Sequence, residues 1–376
     1  MKVLLLSPLP PPVGGIATWT MNIIKYYELK DKKESDINII HQNTAIRFRN
    51  ITKLSFFSRL ISGIQDGIRT FIIFFYYLLK YKPNVIHLTS SGSLGLWKDI
   101  LFVYIAKLFN IPLTIHFRFG RIPEISKLNN WEWKILQKVI SLSSSVIVLD
   151  DTSYQTLIAQ GFKHIFIIPN PISESVEDVM NTQEYCRLSD KSAYRRVIFV
   201  GHVTRNKGIF ELVQSFSLLS NVDELILIGP FELEIKNQII ELAGIKSDKI
   251  TFTGALEKVE VLNAMKRATV LVLPSYTEGF PNVIIEAMAM QCPIVATRVG
   301  AVASMLNDEY SNPAGLVVEP KNVDALTEAL DFIISDPNQA KIFADNAYLK
   351  VKSEYTLETV CHQYEKIWKN CVNREI

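Results

Sequence analysis

Short apolar runs recur along this chain in two successive series, separated by helical patterns, and that alternation leaves few folds open. The first series occupies 3–6, 85–88, 113–116, 146–149 and 165–168; the second occupies 197–200, 225–228, 250–252, 270–273, 294–296 and 316–318. Runs this short, bounded by turn residues, have the pattern of strands buried on both faces of a parallel sheet. Two such series predict an α/β chain of two doubly wound, Rossmann-like domains facing across a cleft. A length of 376 residues suits that division, because a domain usually takes about 100–200 residues. The predicted layout is a first domain over 1–172, a polar and aperiodic linker over 173–195, a second domain over 196–355 and a final helix within 356–376.

Composition narrows the function classes. The four cysteines, Cys186, Cys292, Cys361 and Cys371, form no Cys-x-x-Cys pair, so neither a disulfide framework nor a zinc site is expected. The opening MKVLLLSPLPPP holds too short an apolar run for a secretory signal. The longest apolar run, 71–79, falls well short of the roughly 18 residues that span a bilayer, and a cytoplasmic chain is expected. The net charge of +2 hides a split: residues 1–170 hold 20 Lys and Arg against 10 Asp and Glu, and the remainder hold 20 against 28. A basic half suits an anionic membrane surface or a phosphorylated acceptor. Nucleic acid is not an expected partner, because the chain has no Arg-rich recognition helix, RNP-type aromatic motif or paired zinc ligands.

Within 56–80, Phe57, Leu60, Ile61, Ile64, Ile68, Phe71, Ile72, Phe75 and Leu79 recur at three- and four-residue steps, which places them on one helical face. Residues 47–82 carry seven Lys and Arg and one acid, Asp66. Two readings stay open: the apolar face packs on the first sheet, or the segment lies on anionic lipid at the inner face of the cell membrane.

The densest group of candidate functional residues lies in 273–300. Glu278 and Glu286 stand eight apart, and between them a turn of Gly279, Phe280, Pro281 and Asn282 follows a strand and opens an apolar helix. Pro281 suits the first helical position, and the N–H groups of such a turn make an anion site. Glu286 falls on the second turn of that helix, in an otherwise apolar stretch where a carboxylate needs a partner. A second group, Arg205 and Lys207 in the glycine-flanked loop 201–208, follows a strand. It offers a planar fork and a point charge to a diphosphate, without the spacing of a Walker A loop. Gly14 and Gly15 follow the first strand and permit close backbone approach, and their spacing is not the Gly-x-Gly-x-x-Gly of nicotinamide folds. His116 closes an apolar strand, at the edge where α/β ligands bind. No Asp-x-Asp is present to chelate a nucleotide-bound metal, so no metal site is expected.

These elements together resemble the large group-1 family of retaining glycosyltransferases, over nearly the whole chain and in the family's order. The resemblance implies the GT-B fold and a sugar transferred from a nucleoside diphosphate sugar, used as co-substrate with no further cofactor, to a glycan or lipid-linked acceptor. It implies that Glu286 holds the ribose and Glu278 the donor sugar, while the backbone of Phe280, Pro281, Asn282 and Val283 touches sugar and phosphate. Arg205 and Lys207 would bind the diphosphate, Gly14 and Gly15 would approach it from the other domain, His116 would bond the donor sugar, and Gly254 would border the base. The final helix would pack back on the first domain. The chain departs from the family's usual glycines at Phe117 and at Asn170-Pro171. Bacterial surface-polysaccharide assembly is the expected setting. An epimerase on the same fold would need extra acids at the sugar, and an inactive sugar-nucleotide-binding scaffold would not need Glu278, Glu286, Arg205 and Lys207 intact.

Overall fold

The computed structural model describes residues 1–11, 14–30, 36–45, 56–181, 194–306 and 312–373, the side chains of 56–66 excepted. Its contacts divide the chain into two units, Met1–Pro171 with Leu357–Ile376, and Ile172–Thr356.

The first unit holds strands β1 (Lys2–Ser7), β2 (Asn38–Asn43), β3 (Val85–Ser90), β4 (Leu113–Phe117), β5 (Ser145–Val148) and β6 (Ile165–Ile167), and helices α1 (Gly15–Leu29), α2 (Phe56–Tyr81), α3 (Gly95–Leu108), α4 (Ile122–Leu128), α5 (Trp131–Leu142) and α6 (Asp151–Ala159). All pairings are parallel, in the order β2-β1-β3-β4-β5-β6. Alternate strand residues face opposite cores. Leu4, Leu6, Ile86, Leu88 and Ile115 pack under α2, α3 and α5, whereas Val3, Leu5, Val85 and Ile147 pack under α1. The side-chain period of two in a strand dictates this division.

The second unit begins with α7 (Glu174–Asn181). It continues through β7 (Arg196–Val200), α8 (Ile209–Leu218), β8 (Glu224–Ile228), α9 (Leu233–Ala243), β9 (Ile250–Gly254), α10 (Lys258–Arg267) and β10 (Val270–Leu273). Next come α11 (Asn282–Ala289), β11 (Ile294–Thr297), α12 (Val302–Met305), β12 (Leu316–Val318), α13 (Val323–Ser335) and α14 (Pro337–Lys350). Its sheet is parallel in the order β12-β11-β10-β7-β8-β9. Helix starts carry their caps: Glu257 and Glu260 form a capping box at α10, and Asp336 accepts from the Gln339 amide before Pro337 at α14. The last helix, α15 (Leu357–Asn373), belongs to the first unit, where Val360, Tyr364, Ile367 and Trp368 are buried beside Trp19 and Ile23 of α1.

Three sequence expectations change. Strand β2 forms where no apolar run stands; its Ile39 and Ile40 lie among polar residues because an edge strand has a neighbour on one side only. Residues 174–181, read as linker, form α7, whose Val176 and Met180 enter the second core; 182–193 lie outside the described residues. Finally, α2 packs through Phe74 and Leu78, while Ile68, Ile72, Phe75 and Leu79 of the apolar stripe read from the sequence remain 41–65% exposed. The side chains of Phe57, Leu60, Ile61, Ile64 and Asp66, and the basic Arg47, Arg49, Lys53 and Arg59, lie outside the description.

Candidate active site

In the second sheet β7 lies between β8 and β10. The chain runs outward from β7 to β9, then returns to the other side of β7, so the strand order reverses between β7 and β10. Ligands in open α/β sheets bind beyond the carboxyl ends at such a reversal. Two loops leave from those ends, and a glycine lets them touch. Gly208 has φ +69°, and a Cβ there would sit 1.9 Å from the carbonyl oxygen of Pro274. The Asn206 carbonyl accepts from the Tyr276 amide at 3.0 Å. Residues 71 apart in sequence therefore meet: Lys207 Nζ donates to Glu278 Oε1 at 2.6 Å, and Ser275 Oγ donates to the same oxygen at 2.7 Å.

Arg205 lies on the same turn, exposed, with its guanidinium 4.1 Å from the centre of the Phe210 ring. Tyr276 donates to Glu211 Oε1 at 2.6 Å; burial and then Glu211 push its hydroxyl up to about 12, against the pull of the Arg205 charge. On the other loop Gly279 accepts from the Ala301 amide at 2.9 Å, and the Phe280 ring meets Tyr355 edge-on. Pro281 is the N-cap of α11 and not its first residue, so the helix opens at Asn282 and Val283. Glu286, on the second turn, pairs with Lys258 at the start of α10. Burial raises its pKa, and the Lys258 charge opposes that rise. Gly254, with φ +73°, ends β9 and accepts from the Gly229 amide at 2.8 Å. A Cβ on Gly229 would stand 2.0 Å from the Gly201 carbonyl oxygen, so glycines let the ends of these strands approach.

In the first unit Gly14 has an extended φ of −169°, and no atom lies within 4 Å of a Cβ built on Gly14 or Gly15. Among the described residues no contact therefore demands glycine at either position. Their neighbours 12 and 13 lie outside the described residues. His116 is fully buried, 3.3 Å from His87 Nε2 through Nδ1 and 3.2 Å from Arg118 Nη1 through Nε2, with Trp19 and Tyr364 around it. Burial, then the Arg118 charge, holds His87 down to about 3 and His116 well below the usual range, so both rings stay neutral. The His116 ring has no exposed surface, and its Nε2 faces Arg118.

The structure adds residues that sequence reasoning missed. Lys258, partner of Glu286, reads in the sequence only as part of a capped helix start. Ser275 and the Tyr276–Glu211 pair carry no motif. Gly300, at φ +52°, would place a Cβ 2.3 Å from the Glu278 carbonyl oxygen and 2.4 Å from that of Gly279. The strand-then-glycine pattern at 294–300 was the available signal. Among the described residues no three His, Cys, Asp or Glu side chains gather as metal ligands, and no helix is long and apolar enough to cross a membrane.

Residues 183–350 match the family model described as glycosyl transferases group 1. The match covers a little under half of the chain, within its second unit. The capsular polysaccharide biosynthesis glycosyltransferase CapM of Staphylococcus aureus is 28% identical over 180 residues, 45% of this chain and 44% of CapM. The chain spans about half the length of the first curated relatives it matches, between 44% and 50%. Among solved structures, sucrose-phosphate synthase of Thermosynechococcus elongatus superimposes with a TM-score of 0.73 at 18% identity, over 98% of each chain. HepE of Anabaena, in complex with UDP, gives 0.69 at 16% identity over 98% of this chain and 100% of HepE. The fold is GT-B.

Proposed function

We propose that this chain is a retaining, metal-independent glycosyltransferase that moves a sugar from a nucleoside diphosphate sugar to a hydroxyl of a glycan or lipid-linked acceptor, in bacterial surface-polysaccharide assembly on the cytoplasmic side of the membrane. The observation that carries this reading is the meeting of the Arg205–Lys207 turn with Glu278 and the start of α11 at the β7/β10 reversal. Breaking the bond between the anomeric carbon and the diphosphate leaves negative charge on the departing group. Lys207, Arg205 and the N-terminal turn of α11 offer positive charge for it, fixed before the reaction begins. The new bond joins the acceptor oxygen to the anomeric carbon on the face the diphosphate leaves, and the hydroxyl proton passes to a diphosphate oxygen.

Glu278 contacts the sugar in this reading, and Lys207 and Ser275 fix its carboxylate. Glu286 accepts from the ribose hydroxyls, with Lys258 paired to its carboxylate, and Gly254 borders the base. The open space at Gly14 and Gly15 suits close passage of the diphosphate, and His116 acts by holding Arg118. HepE with UDP bound supports the donor class, and CapM supports the setting. The test is release of nucleoside diphosphate, with acceptor present, in excess EDTA. Full activity is expected, because these side chains supply the charge; loss in EDTA with rescue by magnesium or manganese would refute metal independence.

A further inference from the structure

Among the described residues, the outer surface of α2, α3 and α5 lacks the mixed charge that keeps a helix layer in water. On α3 the exposed large residues are Trp97, Leu101, Tyr104 and Leu108, preceded by Leu94, at steps of three and four, and they are 46–76% exposed. That spacing makes one continuous helical stripe of the kind that ordinarily faces a core. The inner face of α3 already has its core, through Leu96, Phe102, Val103 and Ala106. Helix α2 lies beside it, with Phe71 and Phe74 at 4.8 and 4.9 Å from the Phe102 ring and Phe75 at 5.3 Å from that of Phe109. The exposed stripe of α2 therefore adjoins that of α3. Apolar area of this extent on one surface marks a place of contact.

Charge decides what the contact is. Among the described residues, the exposed charged side chains of 67–81, 95–108 and 131–142 are Arg69, Lys80, Lys107, Lys134 and Lys138, with no carboxylate. The acids there face inward: Asp99 accepts from Ser90, and Glu132 pairs with Arg121. A second copy of the chain, docked about a twofold axis, would set these cations against themselves. An anionic lipid surface complements them, and Trp97, Tyr104 and Trp131 are of the type that seats at a headgroup boundary.

We infer that the outer face of α2, α3 and α5 docks on an anionic membrane, with Trp97 and Leu101 entering the headgroup layer and the surrounding lysines meeting the lipid phosphates. This deepens the proposed function by placing the enzyme beside a lipid-linked acceptor, and it rests on that function only for the acceptor. Flotation of the full chain with phosphatidylcholine vesicles containing phosphatidylglycerol, against pure phosphatidylcholine, tests it. The wild type is expected to float with the anionic vesicles at low salt and to be released as salt rises. Trp97→Ser with Leu101→Gln lowers the bound fraction about tenfold, while Tm and donor-dependent nucleotide release in solution stay unchanged. Lys134→Glu with Lys138→Glu removes the preference for anionic lipid and leaves the fold intact.

The inference is overturned by absence of binding to anionic vesicles at low salt, or by binding indifferent to both pairs of substitutions. It is also overturned by a wild-type dimer that Trp97→Ser turns into a monomer without any vesicle binding, a result that assigns the face to a second copy. Nucleotide release that fails while flotation succeeds counts against the transferase reading and leaves the docking face standing.

Discussion

Lys207→Ala is expected to lower kcat/KM for sugar transfer roughly 30- to 1,000-fold while the chain remains folded. A charge-assisted contact to a developing anion contributes about 2–4 kcal/mol, and each factor of ten in rate corresponds to about 1.36 kcal/mol. Stability should change far less. The side chains of the Lys207–Glu278 pair are 32% and 13% exposed, so solvent screens the interaction, and pairs open to water contribute about 1 kcal/mol or less. Ser275 still donates to Glu278 in the variant. Steady-state kinetics on Lys207→Ala and Lys207→Arg, beside their melting curves, separate the two effects. Turnover near that of the wild type in a folded Lys207→Ala chain would remove the residue from the mechanism.

Gly300→Ala is the second large effect, and it acts through the backbone. Its φ of +52° costs an alanine about 1–2 kcal/mol by itself. The heavier cost is steric: the new methyl would lie 2.3 and 2.4 Å from the carbonyl oxygens of Glu278 and Gly279, so the segment that opens α11 must move. The expected result is at least about a tenfold loss of donor affinity and a stability loss of about 2–4 kcal/mol. Gly161→Ala makes the control, since φ there is +82° and nothing lies within 4 Å of the added carbon. It should lower Tm modestly and leave donor affinity intact. Equal donor affinity for Gly300→Ala and wild type would show that the 299–301 loop does not set the position of Glu278.

The central strands were legible in the sequence because parallel strands buried on both faces must be apolar at every position; 270–273 and 294–296 read directly as β10 and most of β11. Strand β2 was hidden because an edge position tolerates Asn38 and His41, while the buried Gln42 is held by donating to the Thr70 carbonyl. Helix α7 was hidden because its contact with the core is short: Val176 and Met180, one turn apart, are buried, and Val179 packs partly buried beside them. At the site, the residue types were readable and their meeting was not. That Lys207 reaches Glu278 depends on the Gly208 turn lying against Pro274, a contact set by strand order. The pairing of Glu286 with Lys258 likewise needs α10 and α11 side by side. His116 stands at a strand's carboxyl edge as read, yet α1 and α15 cover it with Trp19 and Tyr364, a burial that no local pattern around residue 116 carries.

Calorimetric titration of the chain with a panel of uridine, guanosine, adenosine and thymidine diphosphate sugars tests most directly whether the carboxyl edge of β7 and β10 is a nucleotide-sugar site. The prediction is saturable binding of at least one donor by the wild type. Glu286→Gln, which keeps the shape of the side chain and removes its charge, should weaken that donor at least about tenfold, as expected when a charged acceptor of hydroxyl hydrogen bonds is lost. Binding of no donor in the panel, or equal binding by wild type and a folded Glu286→Gln chain, would contradict the assignment of this site.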